Sequence, residues 1–166
     1  MEKMNEFNPL DKVPELIQML QAYDPILHKK SDEGYRWLNE NSFCIEIPNP
    51  SGGDSILIVY EDSAEFTISY SYYHSHYSAN DFEYDCMCKI IFDLLNSKRG
   101  SAALFRGSEN KWFSSTLVEK DKTSLHPEEI FTFVFKCDDY VKELREKGGA
   151  VQFVFWDGNL NRMIKL

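Results

Sequence analysis

Positive charge is in short supply in this 166-residue chain: 18 Lys and Arg stand against 27 Asp and Glu, a formal net charge of −9. A chain of that sign repels phosphate backbones, so nucleic acid is not an expected partner. Cysteines are few as well. Cys44, Cys86, Cys88 and Cys137 include no CxxC pair, which excludes the usual structural zinc spacings and fits reduced, buried thiols in a cytoplasmic protein. No apolar run approaches the length of a membrane span. The first residues, MEKMNEFNPLDK, are polar and acidic, so no secretory leader is expected. There is no Gly-rich phosphate loop and no Gly-x-Ser-x-Gly elbow, which removes two common routes to an enzyme. No cofactor is implied. No internal repeat and no linker divides the chain, so residues 1–166 read as one domain with 1–9 flexible.

What is present is an ordinary globular interior: 43% hydrophobic and 14% aromatic residues, enough for a single sizeable core. The most informative stretch is 65–100, EFTISYSYYHSHYSANDFEYDCMCKIIFDLLNSKRG. From Phe66 to Tyr77 the residues alternate. The spacing predicts one long strand with Phe66, Ile68, Tyr70, Tyr72, His74 and His76 on one face. A helix follows over about 80–97. Asn80 is its N-cap and Glu83 stands three residues on, as in a capping box. Phe82, Met87, Ile90, Ile91, Leu94 and Leu95 form its apolar stripe. Gly100 is placed for a left-handed cap.

Elsewhere a helix is expected over Asp11 to Tyr23 with Pro14 in its first turn. Residues 28–34 read as a polar loop. Strands are expected at Phe43 to Pro48 and, as a central strand, at Ser55 to Tyr60; with the 66–77 run these form an antiparallel meander. Further strands are expected at Ala102 to Phe105, Lys111 to Val118, Val151 to Trp156 and Arg162 to Leu166. A helix from about 128 to 147 is favoured, although Phe131, Phe133 and Phe135 alternate as a strand would. The fold class is α+β, a largely antiparallel sheet of about six or seven strands packed by two or three helices.

One cluster carries versatile side chains: His74 and His76 with Asp81 and Asp85. Residues i and i+2 of a strand lie roughly 6.5–7 Å apart at the backbone, so two imidazoles there can converge on one ion. Two histidines with a carboxylate and an open position make a catalytic-zinc set. The order strand, His-Ser-His, loop, Asp resembles the zinc site of the JAMM metallopeptidases, which implies a hydrolase with His74, His76 and Asp81 as ligands and a glutamate from among Glu46, Glu61 and Glu65. Tyr77 stands where that family has proline, and the loop before Asp81 is shorter. The plainer alternative is an α+β domain whose histidines hydrogen-bond across a sheet end among tyrosines and serines. Trp112 and Trp156 read as core or rim aromatics, and an exposed tryptophan would be a binding anchor.

A second resemblance spans about 42–166. A strand hairpin, the run FTISYSYYHSHYS, an amphipathic helix, a short hairpin and a last strand bearing Trp156-Asp157-Gly158 resemble the small immunity proteins of bacterial polymorphic toxin systems. That resemblance implies a non-enzymatic cytoplasmic protein that blocks a cognate toxin. The implied partner is a basic protein, which a net-negative chain attracts. The implied contact surface is the acidic and aromatic turn Tyr72, His74, His76, Tyr77, Asp81 and Asp85.

Overall fold

The computed structural model describes residues 7–61, 65–126, 129–130, 134–135, 144 and 146–165. Among these, the α+β class holds, but nine strands form two sheets, of five and four strands, in place of one sheet of six or seven. The chain divides into two compact units, residues 1–69 with 75–89 and residues 70–74 with 90–166. No linker marks the division, because the chain passes from one unit to the other inside a helix and at a hairpin tip.

In the first unit a 3-10 turn, Pro9–Lys12, opens helix α1, Val13–Met19. Asn8 caps the turn through its side chain, and Pro9 is buried, so the packed chain begins before residue 9. Helix α1 stops earlier than its apolar spacing predicts: Leu20 leaves helical geometry, and Asp24, just ahead of Pro25, takes a left-handed φ of 52°. The strands follow as β1 Ile26–His28, β2 Phe43–Ile47, β3 Ile56–Glu61, β4 Glu65–Tyr70 and β5 Tyr73–Ser78. They lie side by side in chain order, so the expected meander exists and is two strands longer, with β3 at its centre. Phe43, Ile45, Ile47, Ile56, Ile58, Phe66 and Ile68 are buried on one face. Helix α2, Asp81–Leu95, adds Tyr84 and Met87 to the buried set. Phe7, Phe43, Tyr60, Phe66 and Tyr84 form an aromatic cluster with centroids 5.5–6.4 Å apart. Such pairs are each worth about 0.5–1.5 kcal/mol beyond the area they bury.

The second unit holds the last turns of α2 and strands β6 Arg99–Arg106, β7 Lys111–Glu119, β8 Gly149–Val154 and β9 Arg162–Lys165, in the order β7-β6-β8-β9 with every pair antiparallel. Its core is Ala102, Leu104, Val118, Ile130, Leu144, Val151, Phe153 and Phe155. Helix α2 ends in a Schellman arrangement, with Lys98 N–H donating to Asp93 O and Ser97 N–H to Leu94 O, both 2.9 Å. The left-handed residue is Ser97, at φ 53°, and not Gly100. Gly100 lies within β6, where a Cβ would meet Val154 O at 2.6 Å and the Phe155 ring at 2.8 Å. Its glycine is a packing requirement. Within the span expected as a 128–147 helix, Glu129, Ile130, Leu144, Glu146 and Lys147 are helical. The remainder, including Phe131 and Phe133, lies outside the described residues, as do residues 1–6 of the segment expected to be flexible.

Candidate functional site

The expected single strand over Phe66 to Tyr77 is instead a hairpin. Tyr70 ends β4, Ser71 and Tyr72 turn the chain, and Tyr73 begins β5. Ser71 has a φ of 53°, the geometry that two-residue hairpin turns demand at their first position and that Gly usually supplies. Two residues of turn oblige the strands to run antiparallel, and they reverse the face on which the histidines fall. Phe66 and Ile68 point into the core, whereas His76 pairs with Thr67 on the solvent face. Thr67 Oγ1 and His76 Nδ1 are hydrogen-bonded at 3.0 Å, and the Glu65 carboxylate is 3.8 Å from the same ring nitrogen. His74, two residues earlier, is likewise exposed.

Helix α2 starts as its sequence dictates. The Asn80 side chain accepts from Glu83 N–H at 3.0 Å. The Asn80 N–H donates to Ser78 O. The N-terminal end of the helix then presents Asp81, its side chain 85% exposed and 3.8 Å from Lys12 Nζ, and, one turn on, Asp85, also exposed. Between them Phe82 is 73% exposed. It was expected in the apolar stripe; the buried stripe runs instead through Tyr84, Met87, Ile91 and Leu94, one helical face at steps of three and four. Lys12 spans this surface. Its ammonium is 3.3 Å from Glu15 and 4.6 Å from the centre of the Tyr84 ring. Burial pushes the Tyr84 phenol well above its ordinary range, with Cys88 and Glu15 adding to the rise. Burial also raises the Cys88 thiol to about 11.

Of the remaining residues expected in a contact surface, Tyr77 is only 8% exposed and faces the core beside Phe66 and Ile68. Tyr72 is exposed, yet it belongs with His74 to the second unit. There its ring meets Phe105 edge-on at 5.3 Å and its carbonyl accepts from the Ser115 hydroxyl at 2.6 Å. Trp156 is buried and Trp112 is 51% exposed. The three zinc candidates His74, His76 and Asp81 are not gathered: among the described residues no three His, Cys, Asp or Glu side chains are placed to hold a metal. Cys44 is buried and Cys86 and Cys88 are half-buried, all three as free thiols; Cys137 lies outside the described residues.

One polar cluster escaped the sequence reading. β1 falls where a polar loop was expected to begin, and it sets His28 beside Cys44 and Ile26 beside Glu46 of β2. The Glu46 carboxylate accepts from His28 Nε2 at 3.0 Å, from the Tyr35 hydroxyl at 3.2 Å and from the Ser55 hydroxyl at 2.9 Å. The His28 and Tyr35 rings stack at 3.8 Å. Burial works to raise the Glu46 carboxyl, but the hydrogen bonds from Ser55, His28 and Tyr35 together with nearby His28 outweigh it and hold it below the ordinary glutamate value. Burial and the Glu46 charge push both the Tyr35 phenol and the Cys44 thiol up to about 12. Both carboxylate oxygens are engaged, so Glu46 acts as a clamp on β1 and the following loop. The one clue in the sequence was the alternation Phe43, Ile45, Ile47, which leaves Glu46 on the other face and in need of partners.

Charge divides sharply between the units. The first holds 16 acidic and 6 basic residues; the second holds 11 acidic and 12 basic. The whole negative excess therefore belongs to the unit that carries Asp81, Phe82 and Asp85. In comparisons with known proteins, no family model, no curated protein and no solved structure matches the chain.

Proposed function

We propose that this protein is a non-enzymatic binding protein of the immunity type, which blocks a basic protein toxin by docking it on the first unit. The observation that carries the reading is the charge division: the surface around α2's first turn sits on a unit of formal charge −10, while its companion is near neutral. Complementary fields raise encounter rates and select basic partners. Phe82, flanked by Asp81 and Asp85, is the kind of exposed aromatic that anchors an interface, and the flanking carboxylates suit Arg and Lys. The proposed contact surface is accordingly Asp81, Phe82 and Asp85, all in the first unit. His76 makes its contacts with Thr67 and Glu65, Tyr72 and His74 belong to the second unit, and Tyr77 is buried. For His76 the plainer structural role has support of its own, the 3.0 Å hydrogen bond to Thr67.

The test is protection of cells against the basic toxin proposed to be encoded beside this chain. A triple variant, Asp81→Asn, Phe82→Ala and Asp85→Asn, should lose protection and complex formation while keeping its thermal midpoint, since all three side chains are exposed. Full protection by that variant would remove this surface from the account.

A further inference from the structure

A cavity in the first unit has no part in the docking surface. It measures about 490 Å³ and is walled by Leu10 and Val13 from the N-terminal turns and by Phe43 at the start of β2. That volume lies in the range of small-molecule sites, which are mostly apolar with a few placed polar groups. Its polar lining is Lys29, Lys30, Ser31, Glu40 and Ser42. Ser42 is 6% exposed, and its hydroxyl oxygen is sealed from solvent with no hydrogen-bond partner. Its backbone N–H is engaged with Asn39 O at 3.1 Å, so the hydroxyl alone is orphaned. A buried hydroxyl in this state is destabilising, and such groups in native proteins call for an explanation. Lys30 is neutralised by Glu40 at 2.9 Å. Lys29 is exposed and makes no ion pair among the described residues. Two of the six cations of a strongly acidic unit thus border one cavity, together with the Glu40 carboxylate, and the Lys29 backbone N–H donates to Asp32 Oδ2 at 2.8 Å.

We infer that this cavity binds a small amphipathic monoanion: an apolar body against Leu10, Val13 and Phe43, a hydrogen-bonding group that the Ser42 hydroxyl meets on rotating about its χ1 toward the cavity, and a carboxylate attracted by Lys29. The inference is independent of the toxin reading, because its test needs no protein partner.

N-octanoylglycine is a suitable probe, with an acyl chain, an amide and one carboxylate; its methyl ester removes only the charge. Titration into the full-length protein, followed through assigned backbone amide signals, should give saturable shifts centred on Val13, Ser42 and Phe43. The expected Kd is about 1 mM or tighter, given the efficiency typical of ligands this size. The ester and the Lys29→Gln variant should each bind about fivefold or more weakly. Ser42→Ala should also weaken binding while leaving the unfolding midpoint unchanged or higher, because it deletes an orphaned group. Shifts scattered over the surface, equal binding of acid and ester, or unaltered affinity in both variants would each overturn the assignment.

Discussion

The two units solve the same packing problem with different surfaces. Each lays a short antiparallel sheet over buried aliphatic and aromatic side chains, one centred on Phe43, Ile58 and Phe66, the other on Leu104, Val151 and Phe153. The second does so with its charges in balance, 11 acidic against 12 basic. The first carries 16 against 6, and self-repulsion from such an excess works against the compact state. A fold of this kind does not require that excess, as the second unit demonstrates. The difference is best understood as a property of the first unit's surface, which is why the proposed docking site is placed there.

The comparison is broken most severely by attacking each core in turn. Phe66→Ala removes the ring that touches Phe7, Phe43, Tyr60 and Tyr84, at an expected cost of about 3–5 kcal/mol. Gly100→Ala forces a Cβ against the Val154 carbonyl and the Phe155 ring and should cost about 3 kcal/mol. Urea unfolding followed by 19F NMR of fluorotryptophan separates the responses, since Trp37 reports on the first unit and Trp112 and Trp156 on the second. The larger loss should register at Trp37 for Phe66→Ala and at Trp156 for Gly100→Ala.

A smaller effect concerns pH. The folded state holds the Glu46 carboxyl below the ordinary glutamate value, so its contribution is complete above the unfolded value of about 4.3 and is lost as pH falls through the depressed folded value. Glu46→Gln should therefore cost about 1–3 kcal/mol at pH 7, and the gap from the natural protein should narrow as pH falls below the unfolded value of about 4.3. A gap that stays constant from pH 7 to 3 would show that the carboxylate's charge has no part in the clamp. The smallest expected change is a gain. Ser71→Gly relieves a left-handed residue in the β4–β5 turn and should raise stability by about 0.5–1 kcal/mol, the left-handed penalty less the entropy glycine adds to the unfolded chain. A loss on making it would mean the serine side chain supports the turn.

Most of the strands were legible because alternation survives in their burial, as in Phe66 to Tyr70 or Val151 to Phe153. The helix at Asp81–Leu95 was legible from Asn80 and from residues spaced by three and four. The hairpin at Ser71 and Tyr72 was hidden because its turn lacks Asn-Gly or any glycine, and because tyrosines on either side continue the alternation. That one missed turn sent His74 and His76 to the wrong face. β1 was hidden by its length, three residues after a proline, too short for any period to show. The division into two units was hidden because it runs through a helix and a hairpin tip, and no Gly- or Pro-rich linker marks either crossing. The candidate contact residues Asp81 and Asp85 could be named from sequence. Phe82, between them, was assigned to the core because a phenylalanine at a helix start fits an apolar stripe as readily as a surface anchor.

The central claim is that the first unit's charge draws in a basic partner. Its most direct test is the association rate with the proposed toxin, measured from about 25 to 500 mM salt for the natural protein and two variants of equal charge change. Asp81→Asn with Asp85→Asn alters the first unit; Glu109→Gln with Asp121→Asn alters the second. The account predicts a rate that falls steeply with salt, a drop of about tenfold at low salt for the first variant, and little change for the second. Equal slowing by both variants, or a rate indifferent to salt, would contradict it.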